Sequence, residues 1–212
     1  MYRLQIITGS IRPNRLLDSV TPWVVRHARA HGAFDVEVLD LREWALPMFA
    51  EHAGSIGDPT DPTYSDPVVK RWNTTIAAGD GYLFVTPEYN HSVPAVLKNA
   101  LETVFASFAF RNKPAGFVGY STGIAGGARA VEHLTQITVD QEMVPLRTTV
   151  LLGQAGRAFG DDGEPADPAS RTSLAVMLDD LAWWIAALAR ARAAGELPPA
   201  RVRMAAATAA RR

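Results

Sequence analysis

The chain has 212 residues, and its 21 Lys and Arg against 22 Asp and Glu give a formal net charge of -1 at pH 7. This balance excludes the strongly basic nucleic-acid binders and the acidic disordered tails, and the length predicts one domain. The chain contains no cysteine. This excludes disulfide frameworks, cysteine metal ligands and thiol nucleophiles, so redox chemistry requires a cofactor.

The composition also predicts a cytoplasmic protein. The first apolar run, Leu4 to Thr8, is too short for a secretory signal and is followed by polar residues. No run of about 20 apolar residues is visible in the sequence, and the lack of cysteine fits an intracellular compartment. We therefore expect a soluble chain without a membrane or nucleic-acid partner.

The first third of the chain alternates strand and helix patterns. Leu4 to Thr8 is predicted as a buried strand, Leu16 to Ala30 as a helix and Phe34 to Val38 as a second strand. Asp40 ends that strand and is interpreted as the cap of a following turn rather than as a ligand. The segment from Asp40 to Asp66 is rich in Pro and Gly, and a segment of this length is typical of a functional or interfacial loop.

The remaining elements continue the alternation. Short apolar runs, typical of parallel strands covered on both faces, predict strands at Tyr82 to Thr86, Ala115 to Tyr120 and Thr148 to Leu152. Helical spacing predicts helices at Pro67 to Ala78 with Asp66 as its cap, Pro94 to Phe105, Ala125 to Thr138 and Ser170 to Arg192. The repeated β-α order indicates an α/β fold in which helices cover both faces of a parallel sheet.

The pattern predicts one α/β domain over residues 1–194, followed by a C-terminal extension over residues 195–212. The extension consists mostly of Ala and Arg, contains two prolines and has no aromatic residue. We therefore expect a loose extension rather than a second domain.

The first strand is followed by Gly9-Ser10-Ile11-Arg12-Pro13-Asn14-Arg15, directly before a helix. Glycine permits a tight turn, the helix N-terminus offers free amides, and the Ser, Asn and Arg side chains add hydrogen bonds and positive charge. The loop lacks the glycines of a dinucleotide fingerprint and the Lys of a P-loop, so a phosphate monoester fits best. An ordinary turn, in which Asn14 caps the helix and both arginines are solvated, explains the same residues.

The third strand is followed by Pro87-Glu88-Tyr89-Asn90-His91-Ser92-Val93-Pro94. Its polar groups lie at the carboxyl end of a buried strand, where open sheets bind ligands. Ser92 is predicted to cap the next helix, with Pro94 just inside that helix, and His91 is interpreted as structural or interfacial. That interpretation leaves Tyr89 and Asn90 unexplained.

The fourth strand leads into Gly119-Tyr120-Ser121-Thr122-Gly123-Ile124-Ala125-Gly126-Gly127. The glycines allow the backbone to approach a flat ligand, and the next helix directs its positive end beside it. A flexible connector explains this loop equally well. Because parallel strands end at one edge of the sheet, the three loops are expected to meet there.

These motifs resemble the NAD(P)H-dependent FMN reductase family of flavodoxin-like folds. The resemblance runs from the N-terminus to about residue 190 and is carried by Gly9 to Arg12, Pro87 to Asn90, Val93 to Leu101 and Gly126-Gly127. It implies a flavodoxin-like three-layer sandwich of strand order 2-1-3-4-5. It also implies bound FMN, with NADPH or NADH as co-substrate, and a homodimer or a tetramer.

The same resemblance implies roles for individual residues. Ser10, Arg12 and Arg15 would bind the FMN phosphate, with Asn14 nearby. Pro87, Glu88, Tyr89 and Asn90 would line the isoalloxazine ring, and Ser121, Gly123 and Gly126 would face its pyrimidine end. The family often has Ser where this chain has Asn14. No catalytic side chain and no metal ligand is predicted.

The activity implied by the resemblance is passage of a hydride from NAD(P)H to FMN, and then of electrons to a small acceptor. The acceptor implied is a quinone, an azo or nitro compound, a metal ion or free flavin, and these alternatives stay open. The alternative is a flavodoxin-like electron carrier reduced by a partner protein, although such carriers are usually markedly acidic. A flavin-free scaffold is a third interpretation, against which the phosphate-type loop argues.

Overall fold

The computed structural model describes residues 1–52, 54–58 and 61–211. Its single sheet has the strand order β2-β1-β3-β4-β5, and every neighbouring pair of strands is parallel. The strands are β1 (Tyr2–Thr8), β2 (Phe34–Asp40), β3 (Gly81–Pro87), β4 (Pro114–Tyr120) and β5 (Val144–Leu152). The predicted parallel sheet and its strand order are confirmed.

Helices cover both faces of this sheet. They are α1 (Leu17–Ala30), α2 (Leu41–Trp44), α3 (Pro67–Ala77), α4 (Ala95–Glu102), α5 (Ala128–Asp140), α6 (Pro168–Ala194) and α7 (Ala200–Ala209). One apolar cluster joins α1 and α6 to one face of the sheet. A second joins α3, α4 and α5 to the other face, which confirms the three-layer sandwich.

Local chemistry explains where the helices begin. Asp66 caps α3 by accepting the backbone N–H of Val68 at 2.7 Å, as predicted. Asp40 likewise accepts the backbone N–H of Arg42 at 3.0 Å and caps the short helix α2. The predicted cap Ser92 is wrong, because α4 begins at Ala95, with Pro94 at its N-cap position two residues after Ser92. The hydroxyl of Ser92 instead pairs with Nδ1 of His133 at 2.9 Å.

The segment between α2 and α3 folds over a small apolar cluster of its own. Ile56 and Tyr64 pack there with Val69, Ala106 and Phe49. The residues at 53, 59 and 60 of this segment lie outside the described part of the chain.

The C-terminal extension differs from the loose tail that its composition suggested. It contains α7, none of whose described side chains is buried. The start of α7 is held to the domain because the carboxylate of Glu142 accepts the backbone N–H of Ala200 at 2.8 Å. The predicted boundary at residue 194 coincides with the last residue of α6, and the division into domain and extension stays a prediction.

By length and composition alone, helix α6 is long and apolar enough to cross a membrane. The sequence analysis did not predict a segment of this kind. The inner face of α6 is buried in the cluster that covers β4 and β5, through Leu174, Met177, Leu181 and Ile185. A helix with one buried apolar face is what the outer layer of an α/β sandwich requires.

Candidate functional site

A cleft of about 490 Å³ opens at the carboxyl edge of the sheet, where the loops after β1, β3 and β4 meet. Its lining residues are Arg12, Pro13, Asn14, Arg15 and Leu16 from the first loop, Pro87 to Asn90 from the second, and Tyr120, Ser121 and Thr122 from the third. The volume lies within the roughly 300–1,000 Å³ typical of small-molecule sites. The predicted convergence of the three loops is therefore present.

A second, larger cleft adjoins the first. It has a volume of about 1130 Å³ and shares Arg12, Tyr89 and Asn90 with the smaller one. From there it extends along residues of α4 and α5, including Leu101 and Ile137. The two clefts are therefore adjacent, and the larger one has a mixed polar and apolar lining.

The predicted site residues line the smaller cleft with three exceptions, Ser10, Gly123 and Gly126. Ser10 is fully buried behind it. An added Cβ at Gly123 would meet no atom within 4 Å, so the backbone there is open to a ligand. Gly126 is packed against β5 instead, since an added Cβ would lie 3.0 Å from the backbone nitrogen of Gly153.

The loop after β1 presents an exposed cation and leads into α1 without a side-chain cap. The guanidinium of Arg12 is exposed and lies 3.6 Å from the centroid of the Tyr89 ring. Asn14 has a left-handed backbone, with φ of 50°, and the N-cap residue of α1 is Leu16, without a side-chain cap. The alternative in which Asn14 caps this helix is thus wrong. The first-turn amides of Asp18 and Ser19 donate instead to the backbone carbonyls of Arg15 and Leu16, at 3.1 and 3.0 Å.

Arg15 plays a different part in the same loop. Only 8% of its side chain is exposed, and its guanidinium binds Asp18, Asp40 and the backbone carbonyl of Ser10. The hydrogen bonds that Arg15 donates to the Asp40 carboxylate raise the pKa of Arg15 despite its burial. Burial is the largest single effect on the Asp40 carboxyl and would raise its pKa, but the hydrogen bond and charge of Arg15, together with the backbone N–H of Arg42, lower that pKa below its usual value. Arg15 therefore holds the loop in place, and its positive charge is already paired with the carboxylates of Asp18 and Asp40.

The loop after β3 is a tight turn. Tyr89 and Ser92 exchange backbone hydrogen bonds of 2.9 and 3.0 Å across it. Asn90 and His91 occupy the turn with φ of 49° and 64°, a left-handed conformation that Asn tolerates better than most residues. The hydroxyl of Tyr89 lies 2.8 Å from Oγ of Ser10 and joins this turn to the phosphate-type loop.

The carboxylate of Glu88 is directed toward α5. It accepts Nε of Arg129 at 2.6 Å and the backbone N–H of Arg129 at 3.2 Å, and 5% of its side chain is exposed. Burial would raise the pKa of Glu88, but these hydrogen bonds and the charge of Arg129 lower it below the usual value. The positive end of α5, which the sequence suggested for a ligand, is thus occupied by a carboxylate of the chain itself.

The sequence analysis missed Tyr120 as a site residue. It ends β4, is paired with Pro87 in the sheet, lines the cleft and is 3% exposed. Among the described residues its hydroxyl has no hydrogen-bond partner. A phenol at the end of a buried strand, next to a ligand-type loop, was the available signal.

Known proteins resemble this chain in sequence and fold. It matches the family described as NADPH-dependent FMN reductase over residues 2–157. It is 36% identical over 135 residues to an NAD(P)H-dependent FMN reductase of Schizosaccharomyces pombe. That match covers only 64% of this chain and 64% of the relative. It is 30% identical over 191 residues to a quinone reductase of Pseudomonas putida, a match that covers 87% of this chain and 95% of the relative.

The fold has counterparts among solved structures. FerB, a flavoenzyme NAD(P)H:(acceptor) oxidoreductase from Paracoccus denitrificans, matches with a TM-score of 0.70 at 24% identity, over 87% of this chain and 97% of that protein. At this level of identity the match shows a shared flavodoxin-like fold.

Proposed function

The chain belongs to the NADPH-dependent FMN reductase family, and we propose that it binds FMN in the cleft between the loops after β1, β3 and β4. It is an FMN-dependent NAD(P)H oxidoreductase. When bound, FMN supplies the redox chemistry, taking a hydride from the reduced nicotinamide and passing electrons to a small acceptor. The residues of the chain hold and orient that cofactor.

The observation that carries this assignment is the donor set at the polar end of the cleft. The exposed guanidinium of Arg12, the amide side chain of Asn14 and the hydroxyl of Tyr120, which has no partner among the described residues, belong to side chains that line one small cleft. Cations, amides and hydroxyls are the groups that bind a phosphate monoester. The residues present therefore fit the phosphate of FMN.

The other end of the cleft fits a flat ring. Tyr89 and Asn90 border both clefts, while the carboxylate of Glu88 is turned away to Arg129. Glu88 therefore faces a ligand with its backbone, and the open backbone at Gly123 adds room for close approach. We assign the isoalloxazine ring to this region, with Pro87 to Asn90 on one side and Ser121 to Gly123 on the other.

The larger cleft provides space for the nicotinamide and the acceptor. Apolar side chains such as Phe49, Val93, Leu101 and Phe105 contribute to its lining, beside charged groups such as Lys98. Such a mixture suits flat aromatic molecules that carry polar substituents. Because this chain is similar to a quinone reductase over 87% of its length, a quinone is the acceptor that we propose.

We further propose that the protein is a cytoplasmic homodimer without a membrane or nucleic-acid partner. Large apolar side chains are exposed at Met48 (75%), Ile124 (89%) and Phe105 (37%), on segments that border the two clefts. Exposed apolar surface of this kind is typical of an interface with another chain. Light scattering of the purified protein tests the homodimer, and a monomer at micromolar concentration would contradict it.

The proposed activity is tested by steady-state oxidation of NADPH and of NADH, with 1,4-benzoquinone as the acceptor, before and after addition of FMN. We expect turnover that depends on FMN and that riboflavin supports poorly. Nicotinamide oxidation that is indifferent to FMN would contradict the proposal. Bound FMN that turns over only with an added reductase protein would support the electron-carrier alternative instead.

A further inference from the structure

The hydroxyl of Tyr120 is a buried polar group that makes no hydrogen bond of normal geometry within the described residues, although the Ser10 hydroxyl lies nearby. The side chain is 3% exposed and belongs to the apolar cluster beneath α1 and α6, yet it also lines the smaller cleft. Among the described residues, the buried side-chain atoms without a hydrogen bond belong to seven side chains, and Tyr120 is the member that lines this cleft. Such a group destabilises the protein unless a ligand or water satisfies it.

The surroundings of this hydroxyl are those of the phosphate-type loop. Tyr120 shares the cleft with Arg12, Asn14 and Arg15. Burial and the neighbouring Tyr89 raise the pKa of the Tyr120 phenol, whereas Arg15 and the Ser10 hydroxyl act in the opposite direction with a smaller effect. The phenol therefore keeps its proton at neutral pH and is available as a donor.

The charge balance of the loop explains why a neutral donor is needed there. Arg15 is bound to Asp18 and Asp40, so two carboxylates already match its charge. Arg12 is the exposed cation of the loop. A dianionic phosphate offers several acceptor oxygens, and one free guanidinium does not satisfy them all.

From these observations we infer that Tyr120 binds the phosphate of FMN by donating its phenolic hydrogen to a phosphate oxygen. This role rests on the proposed function, because it places FMN in the same cleft. It also assigns to Tyr120 a specificity function, since riboflavin lacks the phosphate and leaves the hydroxyl unsatisfied. Tyr120 thus contributes to the choice of FMN over riboflavin.

The inference is tested with Tyr120→Phe, which removes the hydroxyl and keeps the ring packing. Tyr64→Phe is the matched control, because the Tyr64 hydroxyl is also buried and unpartnered among the described residues but lies outside both clefts. FMN and riboflavin are titrated separately into each apoprotein, and binding is followed by quenching of flavin fluorescence.

We expect Tyr120→Phe to lower the affinity for FMN about 10-fold or more, because it loses a hydrogen bond to a charged group. The affinity for riboflavin should change less than about twofold. Tyr64→Phe should leave both affinities unchanged. Equal FMN affinity in Tyr120→Phe and the parent protein would overturn the inference, as would an equal loss for both flavins. A parent protein that binds neither flavin would instead refute the proposed function.

Thermal unfolding supplies a second readout that a purely structural tyrosine would not give. The FMN-free Tyr120→Phe protein should unfold at the same temperature as the parent or at a higher one, because a costly unpartnered hydroxyl has been removed. With saturating FMN the order should reverse, because the ligand is bound more weakly. A variant that is less stable by the same amount with and without FMN would contradict a role in phosphate binding.

Discussion

The phenolic oxygen of Tyr89 lies 2.8 Å from Oγ of Ser10, and this contact ties the turn after β3 to the loop after β1. The guanidinium of Arg12 stacks on the same tyrosine ring. Two groups assigned to the phosphate of FMN are thus held by a residue assigned to its ring. Placement of the ring and recognition of the phosphate are therefore coupled through one side chain.

Tyr89→Phe should separate the two contacts of this tyrosine. The variant loses the hydrogen bond to Ser10 but keeps the aromatic face under Arg12. Since a net hydrogen bond contributes about 0.5–1.5 kcal/mol, we expect FMN affinity to fall about 2- to 10-fold. Fluorescence titration measures it. Tyr89→Leu, which also removes the face beneath Arg12, should bind FMN more weakly still, and equal affinities for the two variants would show that the stacking contributes nothing.

The two arginines of the first loop should respond differently to truncation. Arg12→Ala removes an exposed cation and should weaken the binding of FMN more than that of riboflavin. It should change the free energy of unfolding by less than about 0.5 kcal/mol. Arg15→Ala strips Asp40 of its partner and should lower the free energy of unfolding of the apoprotein by roughly 2–4 kcal/mol. Urea denaturation measures the stability. An Arg15→Ala apoprotein as stable as the parent would disprove the bracing role.

The pair Glu88 and Arg129 predicts an acid-sensitive contribution to stability. Because the pKa of Glu88 lies below its usual value of 4.5 in the folded protein, its contribution is present above that value and is lost as the pH falls through the folded pKa. Glu88→Gln should therefore lower the free energy of unfolding by about 1–3 kcal/mol at pH 7 and by less at pH 3.5. Glu132→Gln, at an exposed position of α5, the helix that carries Arg129, is the control. A Glu88→Gln deficit that does not shrink on acidification would contradict this assignment.

Lys113 predicts a pH-dependent contribution to stability of the same sign, but at alkaline pH. Its ammonium group donates to the carbonyls of Ala77 and Ala109, each at 2.9 Å, and burial lowers its pKa to about 8 from the usual 10.5. Between these two values the unfolded chain binds a proton that the folded protein has lost, so stability rises with pH. Relative to Lys113→Met, the parent protein should gain about 1–2 kcal/mol between pH 8 and 9.5. Urea denaturation at several pH values measures the free energy of unfolding of both proteins. A difference between them that stays constant from pH 8 to 9.5 would refute the lowered pKa of Lys113.

Periodicity predicted the sheet, because buried parallel strands and amphipathic helices have distinct patterns along the chain. The boundaries failed where tertiary contacts act. The start of α5 shifted to Ala128 because Gly126 and Gly127 adopt φ of 62° and 88° against neighbouring strands. The helix α7 in the extension was missed. Composition alone does not show that the Glu142 carboxylate accepts the backbone N–H of Ala200, the first residue of that helix.

The candidate site was predictable as three loops at one sheet edge, but the use of each side chain was not. The sequence suggests Arg12 and Arg15 as equivalent cations, whereas pairing with Asp18 and Asp40 distinguishes Arg15. The sequence also places Glu88 in the ring loop without revealing that Arg129, 41 positions later, takes its carboxylate. Long-range pairs of this kind become visible only when the strands are assembled.

The most direct test of the central claim is an anaerobic visible spectrum of the protein with bound FMN, recorded before and after addition of NADPH and, separately, NADH. The account predicts that the flavin absorbance near 450 nm bleaches within seconds, without any partner protein, and that a quinone restores it. Bound FMN that stays oxidised with both nicotinamides, or apoprotein that takes up no FMN, would contradict the account.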